Sequence, residues 1–129
     1  MTRHEQRICI FQAAFQIPFH DGEVPRLELF ETYNGDEKDE TYINKKVRNI
    51  EEKLDELDAA IEQHSNGWKI NRLGKTELAI LRVAVYELLF DDEIPDKVAL
   101  NEAIEIAKEF SDEKSASFIN GVLDSFIEK

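Results

Sequence analysis

Thiol chemistry is almost absent from this chain of 129 residues, which has a single cysteine, Cys9. An internal disulfide is excluded, and Cys9 stands too far from His20 and His64 in sequence to suggest a zinc cluster. On a helix with apolar neighbours it reads as a small packing residue. Only three prolines and five glycines interrupt the chain, which favours helices over a turn-rich β architecture. Apolar runs are short as well. The longest, LAILRVAVYELLF, covers 13 residues and contains Arg82 and Glu87, so it is too short and too charged to cross a bilayer. The first ten residues carry Arg3, Glu5 and Arg7 where a secretory leader needs an unbroken apolar stretch. The expectation is a soluble protein of a reducing cytosol with no membrane contact. Glycine-rich phosphate loops, HExxH, GxSxG and paired CxxC are missing too, and no histidine follows a glutamate by three positions, as a di-iron bundle requires. The sequence therefore predicts no catalytic residue, no metal site and no cofactor, and DDE at 91–93 reads as a solvated turn between helices.

Charge is plentiful but unevenly spread. Charged residues make up 34% of the chain and the formal net charge is −12. Residues 1–20 hold Arg3 and Arg7 against Glu5, the one net-positive stretch, while the remainder has 14 basic and 27 acidic residues. An acidic body repels nucleic acid and suits a basic partner. Charges more than about 8 Å apart are largely screened at physiological salt, so a small cationic end can still act locally.

Periodicity predicts an all-α fold of six or seven helices in one domain over 1–129, with subdomains of about 1–65 and 66–129. Thr2 and Glu5 have the spacing of a capping box, and Ile8, Phe11 and Phe15 then recur three and four apart, giving a first helix from about 3 to 17 that Pro18 stops. PFHDGEVP reads as a loop, and RLELFETYN as a short helix through Leu27, Phe30 and Tyr33. From Ile43 the positions Ile43, Val47, Ile50, Leu54, Leu57 and Ile61 lay one stripe along a single long helix, closed by Asn66 and Gly67. Trp68 to Leu73 forms a turn or two, and Thr76 caps a central helix that is apolar almost all round. Two more helices follow, one with Leu100, Ala103, Ile104 and Ala107 on a face. The other starts after Ser111 and Asp112 and presents Phe118, Ile119, Val122, Leu123, Phe126 and Ile127. Gly121 inside the last helix costs roughly 1 kcal/mol relative to alanine, which close approach of another helix would explain.

Arg3, His4 and Arg7 fall at i, i+1 and i+4, so they project from one side of the first helix, with Phe15 two turns beyond Arg7. Two arrangements fit. Guanidinium groups and an aromatic face form a platform for single-stranded RNA, or Phe15 belongs to the core and both arginines pair with the acidic body.

The segment ELAILRVAVYELLFDDEIPDKVALNEAIEIAKEFSDEKSASFINGVLDSF resembles the carboxy-terminal half of the NusB family of transcription antitermination factors. AILRVAVYEL, IP followed by KV, NEAIEIAK and FINGVLD occur in that family's order and spacing, preceded by WKINRL. The amino terminus resembles it as well, with an arginine-containing segment leading into Gln12, Ala13, Ala14 and Phe15. Residues 3–16 and about 66–127 carry the likeness; the middle shares only a helical pattern.

The resemblance implies two packed helical bundles that bind single-stranded boxA RNA of ribosomal transcripts together with the ribosomal protein NusE, inside a complex that keeps RNA polymerase from terminating. It places Arg3, His4 and Arg7 on the arginine-rich RNA contact and Gln12 and Phe15 beside it. Lys114, Ser115 and Phe118 match the start of the last helix, which adjoins that surface, and Glu77 matches a position linked to the ribosomal-protein interface. Lys114 and Ser115 would sit in a first helical turn whose free N–H groups favour a phosphate. The sequence departs from the family at two positions, with His4 in place of a usual arginine and Ile8 in place of a common glutamate, and the arginine cluster is thin. A homodimer covering the RNA surface is compatible with the sequence, and so is a helical module kept for protein contact alone, akin to the domain fused to ribosomal RNA cytosine methyltransferases.

Overall fold

A computed structural model of the chain describes residues 1–17 and 28–127, with the backbone only at residues 28 and 29. Pro18, the loop that follows it, His20 and Leu27 lie outside the described residues. Among the described residues there are seven α-helices and no strand: α1 (Arg3–Gln16), α2 (Glu28–Thr32), α3 (Glu37–Glu52), α4 (Leu54–His64), α5 (Lys75–Phe90), α6 (Asp96–Phe110) and α7 (Glu113–Asp124). A 3-10 turn, Ile70–Arg72, leads into α5.

Local chemistry explains most of the boundaries. Thr2 caps α1 in a full capping box, its hydroxyl accepting from the Glu5 N–H while the Glu5 carboxylate accepts from the Thr2 N–H. Asp36 and Asp39 do the same for α3. Asn66 and Gly67 take positive φ after α4, the left-handed pair that ends a helix.

Packing is organised around α5, which touches α1, α3, α4, α6 and α7. Beyond these contacts α1 packs on α3 and α2, α4 reaches α7, and α6 and α7 are paired closely. The core joins Ile8, Cys9, Val47, Ile50, Leu57, Ile61, Leu81, Val85, Ile106, Ile119 and Leu123. Burial pushes the Cys9 thiol up to about 11, so it stays protonated and packs as an apolar group.

The apolar stripe of the predicted long helix is buried at Ile43, Val47, Ile50, Leu57 and Ile61, but the helix is two helices. It breaks at Lys53, whose backbone leaves the helical region (φ −101, ψ 8). The break lets α3 lie on α1 while α4 turns onto α5 and α7. Thr76 is not a cap: α5 begins at Lys75, its N-cap is Gly74, and no side chain caps it. On α6 the buried face is Ala99, Ala103, Ile106 and Ala107, with Leu100 and Ile104 only packed against the core. Phe126 and Ile127 lie beyond the end of α7, where the Phe126 ring stacks on His64 at 3.8 Å.

Gly121 faces solvent, and a Cβ added there meets nothing within 4 Å. The close helix approach expected from sequence is absent, because α7 turns Ile119, Val122 and Leu123 inward and leaves Gly121 on its outer side. Gly121→Ala is therefore expected to stabilise the protein by about 0.5 to 1 kcal/mol, read from urea unfolding. A destabilised variant would count against an open face at this position.

Candidate nucleic-acid interface

The three basic side chains of α1 have separate fates. Arg3 is exposed; its guanidinium lies 4.1 Å from the centre of the Tyr42 ring on α3, and its Nη1 donates to Gln6 Oε1 at 2.7 Å. His4 is paired with Glu102 and lies 3.8 Å from Glu109, both on α6. Arg7 is 7% exposed and turned into the interior. Its Nε and Nη2 donate to the Glu87 carboxylate of α5 at 2.9 and 2.8 Å, and its Nη1 lies 3.4 Å from Glu102. An exposed Arg7 is thus corrected: α5 supplies a buried carboxylate that only a planar fork satisfies at both oxygens. Burial alone would lower the Arg7 pKa, but the Glu87 hydrogen bond and charge raise it above its ordinary value. Burial pushes the Glu87 carboxyl up against the pull of Arg7.

A second crossing of this kind ties α5 to α4, where Arg82 Nε and Nη2 donate to the two Asp58 oxygens at 2.9 and 2.8 Å. Asp91 departs from the solvated turn read in DDE, since it is buried and accepts from Lys46 Nζ. Lys46 also lies 5.4 Å from the Tyr42 ring that carries Arg3.

Gln12 and Phe15 line an open groove of about 330 Å³ with Phe11, Gln16, Thr76 and Phe110. Phe15 is half-buried, neither sealed in the core nor fully presented. Phe110, at the end of α6, is 37% exposed, and its ring is held 5.3 Å from that of buried Phe11 at 46°.

Glu77, Lys114, Ser115 and Phe118 meet in a second open groove of about 370 Å³, with Trp68, Arg72, Leu73, Gly74 and Asp112. Trp68 is 53% exposed. Ser115 is buried and its hydroxyl donates to Glu77 Oε1 at 2.6 Å, while Ser111 donates to Ser115 at 2.9 Å. Neighbouring residues of the first turn of α5, Thr76 and Glu77, therefore open onto the two grooves. The free N–H groups expected at the start of α7 are corrected. The Ser115 N–H donates to the Asp112 carboxylate at 2.7 Å, and this backbone bond holds Asp112 below the usual carboxylate range. The helix end already carries its own anion, and Lys114 is the exposed cation beside it.

Sequence reasoning set Gln12 beside Phe15 and grouped Lys114, Ser115 and Phe118, but assigned Glu77 to a separate partner surface, whereas the structure brings all four of Glu77, Lys114, Ser115 and Phe118 to one groove. Of the two arrangements open for Arg7, pairing with carboxylates is the one found. Sequence reasoning missed Gln16, Thr76, Phe110, Tyr42 and Glu102. Gln16 had a signal, as it lies one turn beyond Gln12 on α1; Tyr42 had none.

Among the described residues, five helices packed on α5 and two open aromatic grooves meeting at its first turn define a small helical protein shaped for surface contact. Among the described residues no cluster of three or more His, Cys, Asp or Glu is arranged for a metal, and no helix is long and apolar enough to cross a membrane. The NusB family model matches residues 4–128, and the chain belongs to the NusB family. The transcription antitermination protein NusB of Agathobacter rectalis is 44% identical over 130 residues, covering 98% of this chain and 99% of that protein. A solved T. maritima NusB superposes with a TM-score of 0.84 at 35% identity, covering 98% of this chain and 90% of that one. A crystal structure of antitermination factors NusB and NusE in complex with double-stranded RNA matches with a TM-score of 0.82 at 28% identity, covering 96% of this chain and 94% of that one.

Proposed function

We propose that this chain is a non-enzymatic, cytoplasmic transcription antitermination factor that binds boxA RNA together with NusE and joins the RNA polymerase antitermination complex. The observation that carries the reading is the pair of grooves on either side of the first turn of α5, in a chain related to NusB over nearly its whole length. Arg3 and Lys114 are exposed cations offered to phosphates, and Gln12, Phe15 and Phe118 are the polar and aromatic contacts. Glu77, oriented by Ser115, faces the basic ribosomal protein. Arg7 acts through Glu87, fixing α1 on α5 so that its outer side is presented. His4, engaged by Glu102 and Glu109, adds little free charge.

Titrating a labelled single-stranded RNA carrying boxA, with and without NusE, tests this. Binding is expected to be weak alone and tighter with NusE. Two phosphate contacts imply a salt slope of about −1.4, at roughly 0.7 per contact on a single strand. Phe15→Ala is expected to cost about 1 to 3 kcal/mol of ternary affinity through lost stacking, and Arg3→Ala to flatten the salt slope by about 0.7. Because the related complex holds double-stranded RNA, a duplex of the same sequence serves as competitor. Equal affinity for duplex and single strand, or no change in either variant, would overturn the single-strand reading.

A further inference from the structure

Residues 1–20 are not the only net-positive stretch of the chain: residues 41–50, in the middle of α3, hold Lys45, Lys46 and Arg48 and no carboxylate. Helical spacing puts Lys38, Tyr42, Lys45, Lys46 and Asn49 along one side of α3, with Arg48 farther round the cylinder. Two of the five are turned towards α5, where Lys46 Nζ donates to the Asp91 carboxylate and Asn49 Nδ2 donates to the Tyr86 hydroxyl. Tyr42 meets α1 and carries the Arg3 guanidinium 4.1 Å from its ring centre. Lys38 and Lys45, one turn to either side of Tyr42, are exposed.

The charge around Arg3 does not cancel. In the small cavity where α1, α3 and α5 meet, Arg7 is taken by Glu87 and Lys46 by Asp91, whereas Arg3 donates to the neutral amide of Gln6. The nearby carboxylates are engaged elsewhere: Glu5 accepts from the Thr2 N–H, and Asp39 takes Gln6 and the amino terminus. Among the described residues no carboxylate forms an ion pair with Arg3, Lys38 or Lys45. These three cations therefore stand in a row along α3, in steps of about one helical turn, roughly 5 Å. A row of uncompensated cations on a body of net charge −12 concentrates anions locally. Lysine heads are compact charges on flexible stems, which suits a mobile chain of phosphates.

We propose that Arg3, Lys38 and Lys45 form a track for the phosphate backbone of the RNA strand where it continues past the boxA element, with Tyr42 holding Arg3 in line. The assignment rests on the RNA-binding reading above and extends the surface onto α3, none of whose residues lines either open groove. RNA is the occupant because Arg3, which begins the row, is already a phosphate contact in that reading. Phosphate contacts carry no sequence information, so the track adds affinity for length and not for particular bases.

The test measures ternary complexes with NusE, comparing single-stranded boxA RNA with the same RNA extended by a flank on its 5′ or its 3′ side. Two further phosphate contacts are expected to steepen the salt slope by about 1.4 for one of the two flanks, so that the extended RNA loses about 7-fold more affinity than boxA alone between about 50 and 200 mM salt. The double variant Lys38→Gln/Lys45→Gln is expected to abolish that increment and to leave binding of boxA alone unchanged. Lys97→Gln, an exposed cation on α6, is expected to do neither, which separates local contact from net charge. Flanks of uridines and of cytidines are expected to give the same increment. A flank that adds nothing, or an increment that survives the double variant, is equally lost in Lys97→Gln or depends on the bases of the flank, would overturn the track. Weaker NusE binding by the double variant without RNA would overturn it too, and would make this side of α3 a protein contact. If Arg3→Ala still flattens the slope on boxA alone while neither flank adds to it, the track fails and the RNA reading stands. Absence of RNA binding by the wild-type complex overturns both.

Discussion

Glu87→Ala is expected to cost about 3 to 5 kcal/mol of stability, because it leaves the Arg7 guanidinium buried without its two-point acceptor. Arg7→Met is expected to fall in the same range, leaving the Glu87 carboxylate in the interior. Both groups are almost fully buried, and they join the first helix to the central one across 80 positions of sequence. Urea unfolding reads the effect: with slopes of about 1 to 3 kcal/mol/M, the midpoint moves by more than about 1 M. A loss below about 1 kcal/mol in both variants would mean that the nearby Glu102 stands in for Glu87 as the acceptor for Arg7, and that water or protonation relieves the Glu87 carboxylate left in Arg7→Met. The double variant Arg7→Met/Glu87→Leu is expected to recover most of the stability, since buried pairs exchange well for apolar residues of similar volume. It also separates two roles for Arg7. If Arg7 only positions α1, RNA affinity in the presence of NusE returns with stability; if its guanidinium grips a phosphate, affinity stays low in the stable double variant.

Leu81→Ala is expected to destabilise the protein by about 2 to 5 kcal/mol. Leu81 is completely buried on α5, the helix that touches α1, α3, α4, α6 and α7, so few neighbours can collapse into the space without moving another interface. The control is Leu89→Ala on the same helix, where the side chain is 46% exposed and a change within about 0.5 kcal/mol is expected. Equal effects from the two substitutions would contradict the arrangement of α5 as the buried centre. Because Thr76 and Glu77 lie in the first turn of this helix, Leu81→Ala is also expected to loosen both grooves, seen as faster amide exchange in that turn.

Much of the candidate site was legible because it depends on spacing along single helices. Gln12 and Phe15 open onto one groove because three residues nearly complete a turn. The resemblance placed Glu77 and Ser115 on separate surfaces, and their hydrogen bond, between helices 38 residues apart in sequence, emerged only from the structure. Arg7 shows where spacing stops informing. On the axis of α1 it is one turn from Arg3 and looks like its twin, yet Arg3 reaches solvent over Tyr42 and Arg7 meets Glu87. Gly121 carries the same lesson in reverse, because a glycine in a helix suggested a neighbour and the side where it falls has none.

What the sequence by itself determined was the all-helical class, the capping box of α1, the finish of α4 at Asn66 and Gly67, and the buried stripe of α3 and α4. These rest on interactions within a few residues, where backbone preference and apolar periodicity act directly. Only the tertiary structure decided that the stripe breaks at Lys53, that Arg7 is interior, that Asp112 occupies the start of α7, and that Gln16, Thr76 and Phe110 share a groove. Each of those depends on which face of one helix is covered by another, and a periodic pattern defines a face without saying what lies across from it.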